Sequence, residues 1–250
     1  MSVDGVDSRA SSSSASPVVD LVVIFGGWGN IDGGDPMPAG AATGASRLAG
    51  DVAALPKNLF RDRKQLVLEG AILNSGVNAA LGFIRANFHP AGRLIIYGYS
   101  AGGTDALATC REIQSQMGFF SFATRQFFSV FGMEDRMSRE SMGRVRVDLV
   151  VTVDAASGPL TGGLDRMVPV CVRSNVNFFQ RTASRIGSRG GANVAVDPAS
   201  TTVRNVDMTG PAVTHGTISD VTRSQALDAI QGALGREGDF PTPSGNRRTG

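Results

Sequence analysis

Short, continuously apolar runs recur along the chain and predict six β-strands. These runs are Val18–Phe25, Gln65–Leu68, Arg93–Gly98, Val147–Val153, Val168–Val176 and Val203–Val206. Several of them lack an alternation of apolar and polar residues, which is typical of strands buried on both faces of a parallel sheet.

Stretches with helical periodicity lie between the predicted strands. They are Ala41–Leu55, Ala71–Phe88, Ala101–Met117, a second piece around Ser121–Met137, and Ser219–Leu234, the last opening with the capping pair Ser219 and Asp220. The alternation predicts an α/β protein with a mostly parallel central sheet flanked by helices.

Length and composition favour one folded unit. The chain has 250 residues, of which 42% are hydrophobic and 18% charged, and this excludes a wholly disordered protein. We expect a flexible leader over residues 1–17, a single domain over 18–235 and a disordered tail over 236–250. The Ser/Ala-rich leader lacks the basic start and apolar stretch of a signal peptide. We therefore expect a cytoplasmic protein, or one exported without an N-terminal signal peptide.

Charge and residue counts exclude several classes of partner. A formal net charge of +2 does not favour a nucleic-acid binder. No apolar run approaches the roughly 18 residues of a membrane span, so no integral membrane association is expected. Two cysteines and two histidines cannot form a Cys₄ zinc site, and a Cys₂His₂ site would use all four of them, so we expect no metal and no cofactor. The reaction centre should be built mainly from oxygen chemistry.

The segment Gly98-Tyr99-Ser100-Ala101-Gly102 has the pattern Gly-x-Ser-x-Gly between a predicted strand and a predicted helix. In that setting the serine lies on a sharp turn with its Oγ exposed, and glycines on either side let strand and helix approach each other. Ser100 is therefore the candidate nucleophile. An ordinary glycine-rich turn is the alternative.

A serine nucleophile needs a histidine base, and the chain offers two. His89 directly precedes the strand that leads to Ser100, so it belongs at the opposite, amino edge of the sheet, more than about 20 Å away at about 3.3 Å per residue. His215 follows the last predicted strand and belongs at the carboxyl edge. We predict His215 as the base; a loop histidine that caps the final helix is the alternative.

The same edge argument sorts the acidic residues. Asp148 begins the strand Val147–Val153 and Asp154 follows its end, so only Asp154 belongs beside Ser100 and His215. Asp165 is the main rival and Asp207 the next. A solvated turn residue is the alternative role for each of the three.

An acyl-transfer site also needs N–H donors for the developing oxyanion. One is predicted at Ala101, directly after the nucleophile, and a second at Gly27 or Trp28 in the glycine-rich loop after the first strand. Trp28 is also expected to pack over the pocket. The glycine spacing in this loop matches neither a dinucleotide-binding nor a Walker sequence, so a nucleotide site is disfavoured.

The chain order of Ser100, Asp154 and His215 on the ends of parallel strands resembles the α/β-hydrolase superfamily of serine esterases, lipases and thioesterases. The resemblance covers most of the span from Val18 to Leu234. It implies a compact version of that fold with a sheet of about eight strands, no metal, and hydrolysis of a carboxylic ester through an acyl-enzyme. The first-strand loop lacks the histidine of the His-Gly-Gly-Gly type of oxyanion loop.

Two segments bear on the substrate. Nearly half of the 13 phenylalanines fall in Gly118–Phe131, which forms either a helix packed on the sheet or an acyl-binding wall or lid. In the second case Tyr99, Phe120 and Phe127 would line a pocket for a small-molecule or lipid ester. The polar, Arg-rich segment Asn175–Arg189 is expected to be a solvated face, with recognition of an anionic head group as the alternative.

Two other functions remain open at this point. An acyltransferase would use the same triad with an acceptor alcohol in place of water. A non-catalytic binding protein of the same fold would keep the pocket and lose turnover. The sequence does not fix the oligomeric state.

Overall fold

The computed structural model describes residues 18–27, 44–57, 60–68, 75–123, 145–156, 165–182 and 190–235. The predicted leader, the predicted tail and residues 124–137 of the helix proposed around Ser121–Met137 lie outside these ranges. Within them, no helix is both long enough and apolar enough to cross a membrane.

Eight strands and five helices are described. The strands are β1 Asp20–Phe25, β2 Arg63–Leu68, β3 Leu94–Tyr99, β4 Leu149–Val153, β5 Met167–Val168, β6 Ser174–Phe179, β7 Val194–Ala195 and β8 Thr202–Asp207. The helices are α1 Gly44–Ala53, α2 Ser75–Asn87, α3 Ala101–Ala123, α4 Ile218–Val221 and α5 Arg223–Gly235.

The main sheet has the strand order β2-β1-β3-β4-β6-β8, and every neighbouring pair is parallel. The prediction of a mostly parallel sheet flanked by helices is confirmed. The expected sheet of about eight strands is smaller in the described residues, where six strands form the main sheet. The short strands β5 and β7 pair only with each other.

Successive residues of the central strands point into two apolar layers. Leu21, Val23 and Phe25 of β1 pack with α2 and α3, whereas Val22 and Ile24 pack with α1 and α5. All five side chains are at most 1% exposed. Because both faces of the strand are covered, its sequence is continuously apolar.

One strand that was predicted as continuous is two separate strands in the structure. Val168–Val176 is divided into β5 and β6 by a turn in which the N–H of Val172 donates to the carbonyl of Pro169 at 3.0 Å. Proline lacks the N–H that a continuous strand would use.

The predicted last helix is also divided into two helices, and the predicted capping residues Ser219 and Asp220 do not cap either of them. Thr217 occupies the N-cap of α4 without a side-chain capping bond, and α5 follows separately. Ser219 is buried, and a Cβ at Gly44 of α1 would collide with its Oγ. Asp220 pairs with Arg47 at 2.5 Å. Tertiary contacts with α1 therefore replace the predicted capping role.

The register brings the carboxyl ends of five strands to one edge. Phe25 of β1 lies opposite Gly98, Tyr99 opposite Val153, Val153 opposite Phe178, and Phe179 opposite Asp207. Segments that leave β1, β3, β4, β6 and β8 thus start at neighbouring positions.

A buried carboxylate, Asp20, and a partly buried one, Asp148, form hydrogen bonds at the opposite, amino edge. Asp20 accepts from the N–H of Arg93 at 2.9 Å, and Asp148 accepts from the N–H of Leu94 at 3.0 Å. Burial raises the pKa of Asp148, although the Leu94 hydrogen bond, Arg173 and Arg93 oppose that shift. Asp148 thus forms a hydrogen bond with the first residue of β3, at the amino edge and far from the carboxyl edge.

Replacing Asp148 by Asn should stabilise the protein increasingly as the pH rises. A carboxyl with a raised pKa contributes its stability below its unfolded pKa and loses it as the pH climbs through the folded value. Asn cannot ionise and can still accept from Leu94. We expect the stability of Asp148→Asn relative to wild type, measured by urea unfolding, to grow between pH 4 and pH 7.

The exposed Asp62 at the same edge provides the control. Asp62→Asn should change stability by less than about 0.5 kcal/mol throughout this pH range. An advantage of Asp148→Asn that shrinks with rising pH would contradict the raised pKa.

Candidate active site

Ser100 lies on the turn between β3 and α3 with an unusual backbone conformation. Its φ is 56°, and its N–H donates to the carbonyl of Val153 at 2.9 Å. Its own carbonyl accepts from the N–H groups of Gly103 and Ala156, at 2.9 and 3.0 Å. A positive φ is strained for a residue with a side chain, so these bonds hold the turn in place.

The two glycines of the Gly-x-Ser-x-Gly pattern are needed for space. A Cβ at Gly98 would collide with the backbone carbonyl of Gly102. A Cβ at Gly102 would lie 2.5 Å from the carbonyl oxygen of Gly26 and 2.6 Å from that of Phe25. The pattern therefore lets β3, α3 and the end of β1 approach within backbone contact.

Ser100, His215 and Asp154 form a continuous chain of hydrogen bonds. The distance from Ser100 Oγ to His215 Nε2 is 2.8 Å, and that from His215 Nδ1 to Asp154 Oδ2 is also 2.8 Å. Ser100 and His215 are each 8% exposed, and Asp154 is fully buried. The serine end is thus the one that reaches solvent, and the carboxylate lies beneath the imidazole.

Asp154 occupies the first position after β4. Its N–H donates to the carbonyl of Phe178 at 2.7 Å, and its φ is 42°. Among the described residues, Ser100 and Asp154 are the only non-glycine residues with a positive φ. Aspartate tolerates this left-handed conformation better than most side chains, and the turn directs its carboxylate to His215.

The main chain and ring of His215 are held by Tyr99. The Tyr99 hydroxyl donates to the His215 carbonyl at 2.6 Å, and the two rings stack with centroids 5.5 Å apart. The residue before the candidate nucleophile therefore supports the loop that carries the histidine.

The rival residues have other surroundings. His89 lies before β3, at the amino edge, and its Nδ1 accepts from the N–H of Ala91 at 3.1 Å. Asp165 is exposed and pairs with Arg111 at 3.2 Å. Asp207 is exposed and pairs with Arg181 at 3.3 Å, and its hydrogen bonds from Thr209 lower its pKa.

The predicted oxyanion donors are only partly described. Ala101 is the first residue of α3, and N–H groups at a helix start have no partner within the helix. Gly27 lies against the nucleophile, since a Cβ there would lie 3.0 Å from both Ser100 Cβ and the Tyr99 ring. Trp28 lies outside the described residues.

The proposed aromatic pocket is described only at Tyr99. Phe120 belongs to α3, with its side chain outside the description, and Phe127 lies wholly outside it. The expectation that Asn175–Arg189 is a solvated face is wrong for Asn175 and Asn177. Both are buried and hydrogen-bonded in β6.

Sequence reasoning missed two residues beside Asp154. Gln180 follows β6 directly, and its Nε2 donates to Asp154 Oδ2 at 2.9 Å. Arg166 donates to the carbonyl of Gly191 at 2.9 Å; burial lowers its pKa, and the charge of Asp154 opposes that shift. The position of Gln180 at the carboxyl end of a strand was the available signal, whereas Arg166 gave none.

Within the described ranges, no three His, Cys, Asp or Glu side chains come together as a metal site. The arrangement of a hydroxyl, an imidazole and a buried carboxylate can move a proton from oxygen to nitrogen and stabilise the imidazolium. It is suited to nucleophilic attack by Ser100.

Comparisons with known proteins give structural matches only. No family model matches the chain, and no curated protein matches it. A solved structure from Lactobacillus plantarum WCFS1, assigned provisionally as a carboxylesterase, is 12% identical, with 90% of each chain covered and a TM-score of 0.47.

Two further solved structures match at similar levels. The NocB thioesterase domain, solved as a covalent complex with a fluorophosphonate nocardicin G analogue, is 18% identical, with 87% of this chain and 95% of that chain covered and a TM-score of 0.40. A metagenomic carboxyl esterase is 12% identical, with 88% of this chain and 76% of that chain covered and a TM-score of 0.36.

The strand order and the strand–turn–helix at Ser100 identify the fold as a compact α/β-hydrolase fold.

Gly102→Ala should destabilise the protein because its Cβ would meet two backbone carbonyls that cannot move independently. We expect a loss of about 1–3 kcal/mol, as for overpacked cores, measured by urea unfolding. Gly82 in α2 is the matched control, since a Cβ there meets nothing within 4 Å. Gly82→Ala should stabilise by about 0.5–1 kcal/mol. Equal effects of the two changes would contradict the steric argument.

Proposed function

We propose that the protein is a serine hydrolase that cleaves a carboxylic ester of a small molecule or lipid through an acyl-enzyme. The observation that carries this proposal is the hydrogen-bonded chain from Ser100 Oγ through His215 to Asp154 Oδ2. Its three members lie at the carboxyl edge of one sheet, on the turns that follow β3, β4 and β8.

In the first half-reaction, Ser100 Oγ attacks the ester carbonyl carbon while His215 Nε2 takes the hydroxyl proton. The tetrahedral intermediate collapses, the bond to the alcohol oxygen breaks, and His215 returns the proton to that oxygen. In the second half-reaction, water attacks the acyl-enzyme with His215 again as the base. The products are the free acid, the alcohol and the regenerated Ser100.

Asp154 Oδ2 accepts a hydrogen bond from the Nδ1–H group of His215, so Nε2 of the neutral imidazole is free to accept the proton of Ser100. When His215 becomes an imidazolium, the buried carboxylate stabilises the new positive charge. Full burial of Asp154 makes this interaction stronger than it would be in water.

The oxyanion that forms on the carbonyl oxygen needs donors close to Ser100. We assign the N–H of Ala101 and, as the second donor, the N–H of Gly27 or Trp28. The helix α3 starts at Ala101, so its positive end points at the same atom. The absence of a Cβ at Gly27 keeps the space beside Ser100 open.

Fluorophosphonate labelling followed by mass spectrometry tests the nucleophile. We expect covalent modification of Ser100 in the wild type, and a loss of at least about 10³-fold in kcat on p-nitrophenyl esters for Ser100→Ala. Transfer of the acyl group to added alcohols in preference to water would identify an acyltransferase. Failure to label Ser100 would favour a non-catalytic binding protein.

The two histidines provide a matched pair for the base. The base acts as a neutral imidazole, so the kcat/KM of the wild type should be higher at neutral than at acidic pH. His215→Ala should remove the activity, and His89→Ala should leave both activity and pH profile intact. The reverse outcome would contradict the choice of His215.

Asp154→Asn should lower kcat by up to about 10⁴-fold, because the amide preserves the shape of the site but not its charge or the tautomer of His215. Fluorophosphonate labelling of Ser100 should slow in parallel. The matched changes Asp165→Asn and Asp207→Asn should leave near-normal rates. A large loss at Asp165 or Asp207, with Asp154→Asn active, would move the third triad role to that residue.

A further inference from the structure

Gln180 lies beside the carboxylate of the candidate triad. It follows β6 at the carboxyl edge, its side chain is fully buried, and its Nε2 donates to Asp154 Oδ2 at 2.9 Å. This is the same oxygen that accepts from His215 Nδ1. One carboxylate oxygen therefore receives two N–H donors, and one of them belongs to a residue without a role in the triad.

The orientation of the Gln180 amide is fixed at its other end. Its Oε1 accepts from the N–H of Thr182 at 2.6 Å, so the NH₂ group must face Asp154. A flipped amide would place two acceptors, Oε1 and Asp154 Oδ2, against each other and would leave the Thr182 N–H without this acceptor. The backbone just after β6 thus determines which atom meets the carboxylate.

Gly190 closes the space above this pair. A Cβ at Gly190 would collide with the carbonyl of Gln180 and would lie 2.7 Å from Asp154 Oδ1. The backbone of residue 190 therefore lies directly against both Gln180 and Asp154.

We propose that Gln180 is a positioning residue, which holds Asp154 Oδ2 in line with His215 Nδ1 and stabilises the ionised carboxylate in its buried setting. This inference rests on the proposed function. Hydrogen bonds to the charged form of an acid favour that form, and burial disfavours it. Gln180 thus offsets part of the desolvation of Asp154 without adding a charge.

The other polar and charged groups around the pair come from different elements. Arg166, before β5, is the cation whose charge interacts with Asp154. Tyr99 of β3 contacts the main chain and ring of His215, and Ser100 contacts its Nε2. Tyr99 and Ser100 contact His215, whereas the N–H groups of Gln180 and His215 both donate to Asp154 Oδ2.

Gln180→Met tests the proposal, since methionine is similar in size and lacks the amide donor. We expect kcat to fall about tenfold with little change in KM. The acid limb of the kcat/KM profile should move to higher pH by about one unit, the size expected when one hydrogen bond to a charged group is lost. The shift is upward because the carboxylate, with one donor fewer, stabilises the imidazolium of His215 more strongly relative to the neutral imidazole.

Gln180→Glu tests the same contact with the shape preserved. A protonated Glu side chain can still donate to Asp154 Oδ2, and an ionised one repels it. We expect partial activity at lower pH and a falling alkaline limb that the wild type lacks. This variant keeps the test decisive if the methionine variant does not fold, which far-UV circular dichroism and thermal unfolding would reveal.

Gln114→Met is the matched control. Gln114 accepts from the N–H of Val170 at 2.8 Å, away from the triad, so its loss should affect stability alone and leave the pH profile unchanged. Gln180→Met with wild-type kcat and an unmoved acid limb would overturn the positioning role. A wild type that fluorophosphonate does not label at Ser100 would instead overturn the proposed function itself.

Discussion

The left-handed turn at Ser100 is the constraint on which the rest of the site depends. With φ at 56°, the chain reverses sharply between β3 and α3, and the turn is held by Val153 on one side and Ala156 on the other. Both partners belong to β4 or the residues just after it. The geometry of the serine turn is therefore coupled through backbone hydrogen bonds to β4 and to the residues that follow it, which include Asp154.

The position of the Asp154 carboxylate depends on a second constraint, which is a network of hydrogen-bonded polar side chains on the strands near it. Where the apolar layers end, side-chain amides and a hydroxyl link β4, β6 and β8 to residues 191 and 193. Thr152, Asn175, Asn177 and Asn193 are buried, whereas Asn205 is exposed. Such a network is stable only when its groups find partners in a fixed geometry. It brings Gly190 and Gly191 against Asp154 and Arg166. The position of the carboxylate thus follows from the packing of the 190–193 segment on the sheet.

Much of the arrangement could be read from local patterns. The continuous apolar runs predicted the parallel sheet, and the edge argument separated His215 from His89 and Asp154 from Asp148 without coordinates. The argument depends on strand polarity: all parallel strands end at one edge, so a residue's place before or after its strand fixes the edge at which it lies. The division of Val168–Val176 and of the last helix was missed because Pro169 and the contacts of Ser219 and Asp220 with α1 outweigh local propensity.

The fold class, the turn at Ser100 and the order of the candidate nucleophile, acid and base could be predicted from the residues alone, since each depends on short-range pattern and strand polarity. Which residues surround Asp154 depends instead on tertiary packing. Gln180 and Arg166 lie 26 and 12 positions away from it in the chain, and neither belongs to a recognisable motif. Their meeting depends on how β6, Gly190 and Gly191 pack around the end of β4. Long-range packing of this kind leaves no periodic pattern in the sequence, because a contact made by one amide or one guanidinium group does not restrict which residue types stand next to it in the chain.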